Sequence, residues 1–222
     1  MKNLDIIYEH NDYIVVNKQA GLISEKSQFE DCTAESQVLY HLSKSHKKPY
    51  VGVIHRLDRV TSGVIIFAKN KRTLVQYNDL FSSRTIQKTY LAIVHSQPSK
   101  PSATLTNFLV KNNLSKRADI VPSKSKESVD SKLSYIVISK NDIGYLLEVK
   151  PTTGRFHQIR AQLSHIGLPI IGDDKYGSDQ AYLPLSIGLH AWKIAYQDPK
   201  TKEQKTFEAP LPNNDFWKFE SQ

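Results

Sequence analysis

One cysteine, Cys32, stands in a chain of 222 residues, so no internal disulfide and no cysteine-rich metal cage can form. The chain should fold without covalent staples in a reducing compartment, and the cytoplasm is the expected location. No run of about 18 apolar residues is present to cross a bilayer. The opening Met1-Lys2-Asn3-Leu4-Asp5 also lacks the apolar stretch and small-residue cleavage site of a secretory signal. The nine glycines are too dispersed for a dinucleotide or methyl-donor loop, since no G-x-G occurs. Gly167-Leu168-Pro169-Ile170-Ile171-Gly172 has half the spacing of a phosphate loop, but Asp173 follows where Lys would be required. With no H-E-x-x-H among eight histidines and no C-x-x-C, neither a zinc hydrolase nor a zinc-dependent base deaminase is supported. Any chemistry must then come from carboxylates, Tyr, His and Arg, with no metal site.

What is present is a basic, moderately apolar chain. Thirty Lys and Arg against 22 Asp and Glu give a net charge of +8, an excess that suits a polyanionic partner through phosphate contacts and counterion release. An apolar content of 39% is enough for a real core. No internal repeat, coiled coil or long linker divides the chain, and residues 1–222 are expected to form a single domain.

Apolar runs at Ile6-Ile7-Tyr8 and Tyr13-Ile14-Val15-Val16, split by His10-Asn11-Asp12, predict a strand hairpin. Thr33 should cap a helix carrying Val38, Leu39 and Leu42, and Val51 to Ile54 reads as a short strand. Gly63 to Ala68 is a continuous, β-branched run and predicts a strand buried on both faces. A helix over Lys71 to Ser83 would align Leu74, Tyr77 and Phe81. Further strands are expected at Ile86 to Val94, Thr104 to Val110, Leu133 to Ser139, Gly144 to Val149 and Leu189 to Tyr196. Residues 111–132, basic and nearly without apolar pattern after Val121, read as a mobile excursion: a solvated loop in preference to an RNA-contacting one. Many strands with a few interspersed helices predict an α+β fold on a mixed, mostly antiparallel central sheet flanked by helices.

Two segments carry chemistry. In His55-Arg56-Leu57-Asp58-Arg59-Val60-Thr61-Ser62-Gly63, turn residues after a strand should present Asp58 at a strand mouth. Arg56 and Arg59 flank it and favour a charged carboxylate. Taken alone, the tetrapeptide favours an Asp capping a turn between solvated arginines. The second segment is Pro151 to Arg160, running on to Gly177. Phe156, Ile159, Leu163 and Ile166 follow a helical period, with Thr152 or Thr153 as N-cap and Gly167 to Pro169 as the stop. That reading puts Arg155 and His157 in the first helical turn, where the macrodipole disfavours cations. A carboxylate such as Asp58, or a phosphate, would resolve the conflict, unless Arg155 simply swings into solvent.

Together these residues resemble the RluA-type pseudouridine synthase family over nearly the whole chain. Tyr8 with Tyr13 to Leu22 is similar to the family's opening strands, His55 to Lys69 to its catalytic block, Lys88 to Val94 to its Tyr block, and Thr153 to Gly177 to its Arg block. Gln19 stands where relatives often have Pro, and Phe156 where Thr is frequent. The small N-terminal RNA-binding domain of many relatives is not expected here, which leaves RNA specificity open.

The resemblance implies a pseudouridine synthase-like α+β fold with the active-site cleft across the sheet. It also implies an isomerase that breaks the bond between N1 of uracil and C1′ of ribose, turns the base over and rejoins it through C5, without a cofactor. Asp58 would be the catalytic carboxylate, either attacking covalently or removing a ribose proton. Arg155 would pair with it, and Tyr90 would stack on the uracil and serve proton transfer at C5. Arg56 would enter the space left by the flipped base, with Lys88, His157 and Arg160 as RNA backbone contacts. Extruding a uridine costs on the order of a few kcal/mol, to which stacking on Tyr90 would return about 1 to 3 kcal/mol. The expected partner is a ribosomal or transfer RNA stem-loop, met by a monomer with no membrane and no obligate protein partner. Two other readings compete. One is a catalytically silent RNA-binding protein on the same scaffold. The other is a sugar-bond hydrolase, which would need a second acid, and Asp173 and Asp174 look like turn residues instead.

Overall fold

The computed structural model describes residues 4–219, so the reading of Met1 to Asn3 as free of a leader lies outside the described residues. In chain order the elements are β1 (Ile6–Glu9), β2 (Tyr13–Lys18), α1 (Ala34–Ser43), β3 (Gly52–Val53), β4 (Ser62–Ala68), α2 (Lys71–Ser82), β5 (Gln87–Val94), β6 (Ser102–Asn112), β7 (Arg117–Val121), β8 (Val129–Lys140), β9 (Tyr145–Pro151), α3 (Gln158–His165), β10 (Leu189–Gln197) and β11 (Gln204–Glu208). Sheet and helices are interspersed as an α+β fold. Two compact units can be distinguished, Met1–Gln87 with Ala191–Leu211 and Lys88–His190 with Pro212–Gln222. Among the described residues, no helix is long and apolar enough to cross a membrane.

In the first unit the strands run β1-β2-β4-β10, with β3 on β4 and β11 on β10. The β1–β2, β2–β4, β3–β4 and β10–β11 ladders are antiparallel. The run predicted to be buried on both faces is so: Val64, Ile65, Ile66 and Phe67 are all sealed from solvent. Val64, Ile66 and Ala68 point into a cluster with Tyr13, Val15, Tyr77, Ile194 and Tyr196, the alternation a strand imposes. Against it α2 lays Tyr77, with Leu74 and Phe81 packed at the rim. Helix α1 starts where Thr33 predicts, with its hydroxyl accepting from the Ser36 N–H and the Ser36 hydroxyl accepting from the Thr33 N–H.

The second unit is an antiparallel sheet in the order β5-β9-β8-β6-β7. Two strands depart from the sequence reading. Strand β7 lies inside residues 111–132, which therefore hold a β6–β7 hairpin and the start of β8 rather than a continuous loop. Its periodicity is short but physical: Ala118 packs with Leu109, Ala161 and Tyr176, and Ile120 packs against the same cluster. On the opposite face Arg117 Nε pairs with Asp119 Oδ1 at 2.6 Å. Being an edge strand, β7 keeps a polar outer side, which hid it among the surrounding charges. Strand β11 was likewise unpredicted, since only Phe207 of its five residues is buried.

Helix α3 begins at Gln158, not near Thr152 or Thr153, and the preceding His157 adopts the left-handed conformation, φ 51°. Arg155, Phe156 and His157 thus lie in a turn ahead of the helix; the cation in the first helical turn is instead Arg160, whose charge is met by Asp173. The predicted apolar stripe shrinks accordingly: Ile159 and Leu163 are buried, whereas Phe156 and Ile166 are exposed.

Candidate active site

Backbone capture braces the Asp58 loop. Ser24 Oγ donates to the Leu57 carbonyl at 2.9 Å and accepts from the Leu57 N–H at 3.0 Å. The Asp58 carbonyl accepts from the Thr61 N–H at 3.1 Å, closing a tight turn, and the Arg59 carbonyl accepts from the Gly21 N–H at 2.8 Å. Residues 21–24 therefore brace both sides of Asp58, fixing a partly buried carboxylate on a loop that its own sequence would leave loose.

The flanking arginines turn to other carboxylates. Arg56 Nη1 meets Glu25 Oε1 at 2.5 Å on the surface, and Arg59 Nη2 reaches both oxygens of Glu30 at 2.8 Å. Beneath the loop lies a cation that sequence reasoning missed, Lys18, only 2% exposed. Its ammonium donates to the carbonyls of Leu22 (2.7 Å), Gln19 (3.0 Å) and Arg59 (3.3 Å), joining the bracing segment to the Asp58 loop. Burial pushes its pKa down to about 7, against the attraction of the Asp58 charge, which acts to raise it. The available signal was a Lys at the end of the strand Tyr13 to Val16, where a charge on a core strand requires a partner. His55 is likewise engaged in holding the fold, since its Nε2 accepts from the Ile66 N–H at 3.1 Å while its ring stacks on Phe81.

In the second unit Tyr90 and Lys88 lie on β5, both half-buried, with Tyr90 opposite Val149 of β9. Lys88 Nζ comes within 3.1 Å of where a β-carbon on Gly154 would stand, so Gly154 lets this amine reach the turn that carries Arg155. The turn is held by Gln158, whose Oε1 accepts from Thr153 Oγ1 (2.7 Å) and from the Arg155 N–H (3.0 Å), while its Nε2 donates to the Lys132 carbonyl (3.1 Å). The Arg155 side chain is exposed and its Nε donates to the Asp130 carbonyl at 3.0 Å.

Two residues expected to touch RNA, Arg160 and His157, are engaged in side-chain bonds within their unit. Arg160 is 5% exposed; its Nε and Nη2 donate to the two oxygens of Asp173 at 2.7 and 2.8 Å, and its plane lies near the Tyr176 ring. The guanidinium is buried and tied bidentately, and Asp173, 1% exposed, is its counter-ion, while the Asp173 backbone forms the expected turn, its carbonyl accepting from the Tyr176 N–H at 3.0 Å. The third edge, Nη1, donates to His157 Nε2 at 3.0 Å. Because arginine only donates, the ring proton of His157 sits on Nδ1, 3.1 Å from the Tyr176 hydroxyl. That hydroxyl in turn accepts from the Ala118 N–H (2.7 Å) and donates to the Ala118 carbonyl (3.3 Å), sealing the edge strand β7. Gln158, Asp173 and Tyr176 were not predicted as site-forming, because each works through partners distant in sequence.

Among the described residues no cluster of His, Cys, Asp and Glu suited to a metal ion is found. An α+β fold built on such sheets is shared with solved pseudouridylate synthase domains. The human RNA pseudouridylate synthase domain containing 1 superposes with a TM-score of 0.81 at 25% identity, covering 99% of this chain and 90% of its own. The RNA pseudouridylate synthase family profile matches residues 12–165. Similar curated sequences include a tRNA pseudouridine synthase C of Vibrio parahaemolyticus, 29% identical over 96% of this chain and 92% of its own length. Another is a ribosomal large subunit pseudouridine synthase C of Rickettsia bellii, 32% identical over 94% of this chain and 68% of its own. The chain belongs to the RNA pseudouridylate synthase family, in its RluA-type branch, and is an isomerase.

Proposed function

We propose that this protein converts uridines of ribosomal or transfer RNA to pseudouridine with Asp58 as the catalytic carboxylate. The observation that carries the reading is the bracing of the Asp58 loop by Ser24, Gly21 and Lys18, which spends a buried cation to hold one carboxylate in place. Preorganisation of that kind is what a reacting group requires. The names of the relatives, one acting on tRNA and another on the ribosomal large subunit, support the substrate class.

In this reading the N1–C1′ bond breaks, the uracil turns in the pocket, C5 bonds to C1′, and the C5 proton leaves to solvent while the freed N1 takes one up; mass is unchanged and no cofactor takes part. Asp58 either bonds to the sugar or takes a ribose proton. Arg155 pairs with Asp58, Tyr90 stacks on the base and serves proton transfer at C5, Arg56 fills the vacated stack, and Lys88 contacts the backbone. The protein acts in the cytoplasm, as a monomer.

The test incubates purified protein with RNA tritiated at uracil C5, taken from cells lacking the gene, and counts tritium released to water. Wild type releases label and Asp58→Asn releases none while still binding RNA. Equal release by Asp58→Asn overturns the mechanism. Binding without release by the wild type would make the protein a silent RNA binder, and free uracil would make it a hydrolase.

A further inference from the structure

Phe156 is an aromatic side chain left 41% exposed on a turn, yet it rests on a chain of side-chain contacts. One ring face stacks on His157, with centroids 3.8 Å apart and planes 20° from parallel. His157 is itself held in a left-handed conformation, with its two nitrogens bonded to Tyr176 and Arg160, and Arg160 is fixed by buried Asp173. A left-handed histidine and a buried ion pair are both costly to maintain. Single exposed apolar residues are ordinary and need no explanation; one underpinned by such a chain of contacts is different.

The other surroundings are cationic. Lys111 Nζ lies over the Phe156 ring, 5.3 Å from its centroid, Arg155 precedes it in the chain, and Lys88 reaches the adjacent Gly154. An oriented aromatic ring bordered by cations is the arrangement that holds single-stranded nucleic acid, with stacking on the ring and phosphates on the cations.

We infer that Phe156 is a stacking platform for an unpaired RNA base next to the target uridine, the base taking the place of the Lys111 ammonium over the ring and Lys111 turning to its phosphate. The placement next to the target rests on the reading of Arg155 given above. Because the ring is already oriented by His157, the base docks with little ordering cost. A ring at this position adds affinity for a flanking nucleotide, so it acts on substrate choice and not on the reaction.

The experiment compares wild type with Phe156→Ala, Phe156→Thr and Phe156→Trp. It measures binding of a uridine-rich 12-nucleotide RNA, the same RNA carrying abasic sites, and tritium release from C5-labelled cellular RNA. Expected is about a tenfold loss of oligonucleotide affinity in Phe156→Ala and Phe156→Thr, retention in Phe156→Trp, and new tryptophan quenching in Phe156→Trp on RNA addition. The abasic RNA should bind wild type and Phe156→Ala alike. In turnover the apparent KM rises about tenfold and kcat stays within twofold. Unchanged affinity in a folded Phe156→Ala overturns the platform, as does a loss confined to kcat. If the wild type binds but releases no tritium, the isomerase reading fails while the binding comparison still decides the platform.

Discussion

Arg160 and Asp173 meet edge to edge, Nε to Oδ2 at 2.7 Å and Nη2 to Oδ1 at 2.8 Å, with both side chains withdrawn from solvent. Removing one member leaves the other charge buried and unpaired, which costs about 3–5 kcal/mol. Asp173→Ala should therefore lower the urea midpoint severely. Replacing both, Arg160→Met with Asp173→Leu, should recover most of the loss in folding, though His157 then loses its Arg160 donor. A double variant no more stable than Asp173→Ala would show that the pair is not coupled in this way.

Lys18 makes stability depend on pH in a direction opposite to a surface lysine. Its pKa is about 7 in the folded protein against 10.5 for an ordinary lysine, so between these values the unfolded chain holds the proton that the folded chain has released. Stability then rises from about pH 7 towards 10.5, by up to ~1.4 kcal/mol per pH unit, and this contribution is lost as pH falls through 7. Urea midpoints measured from pH 6 to 9.5 should show the slope in wild type and its disappearance in Lys18→Met. In Asp58→Asn the lysine loses a favourable charge, so NMR of its side-chain nitrogen should show titration at lower pH than in wild type.

The phenols of Tyr77 and Tyr196 lie 2.6 Å apart in the core of the first unit, and burial pushes both pKa values well above the ordinary range. Tyr196→Phe strips a buried hydroxyl of its partner and should cost about 1–3 kcal/mol. The double change to Phe should cost less than the sum of the two single changes. Additive losses in a double-mutant cycle would contradict the shared bond.

Gly63 closes the Asp58 segment with φ at 117°, and a β-carbon there would stand 2.2 Å from the Ala191 carbonyl oxygen. Gly63→Ala should destabilise by more than about 3 kcal/mol, since strain and a backbone clash coincide. At Gly177, φ 85° with open space around the β-carbon position, the same change should cost only about 1 kcal/mol. Similar thermal shifts for the two variants would refute the distinction.

The local elements of this protein were written in short-range pattern. The continuous run at Gly63 to Ala68 pointed to a strand covered on both sides, and Thr33 to a helix start, because burial of apolar periodicity and satisfaction of free N–H groups act over a few residues. The ordered blocks around Asp58, Tyr90 and Arg155 likewise identified the family. Where local pattern failed, side-chain contacts made on folding had decided the outcome. Thr153 was free to cap a helix until Gln158 folded back to take its hydroxyl, so the helix starts later and Phe156 faces outward.

Charge told the least. Composition gave the excess of cations and pointed to RNA, and the sequence named the residues beside Asp58. Which cation serves solvent, which serves the core and which lies beneath Asp58 depended on tertiary structure. Arg56 and Arg59, adjacent to Asp58 in the chain, turned to Glu25 and Glu30, while Lys18, far away in the chain, came beneath its loop. The physical reason is that a charge is placed by the burial and counter-charges around it, which only the folded chain supplies.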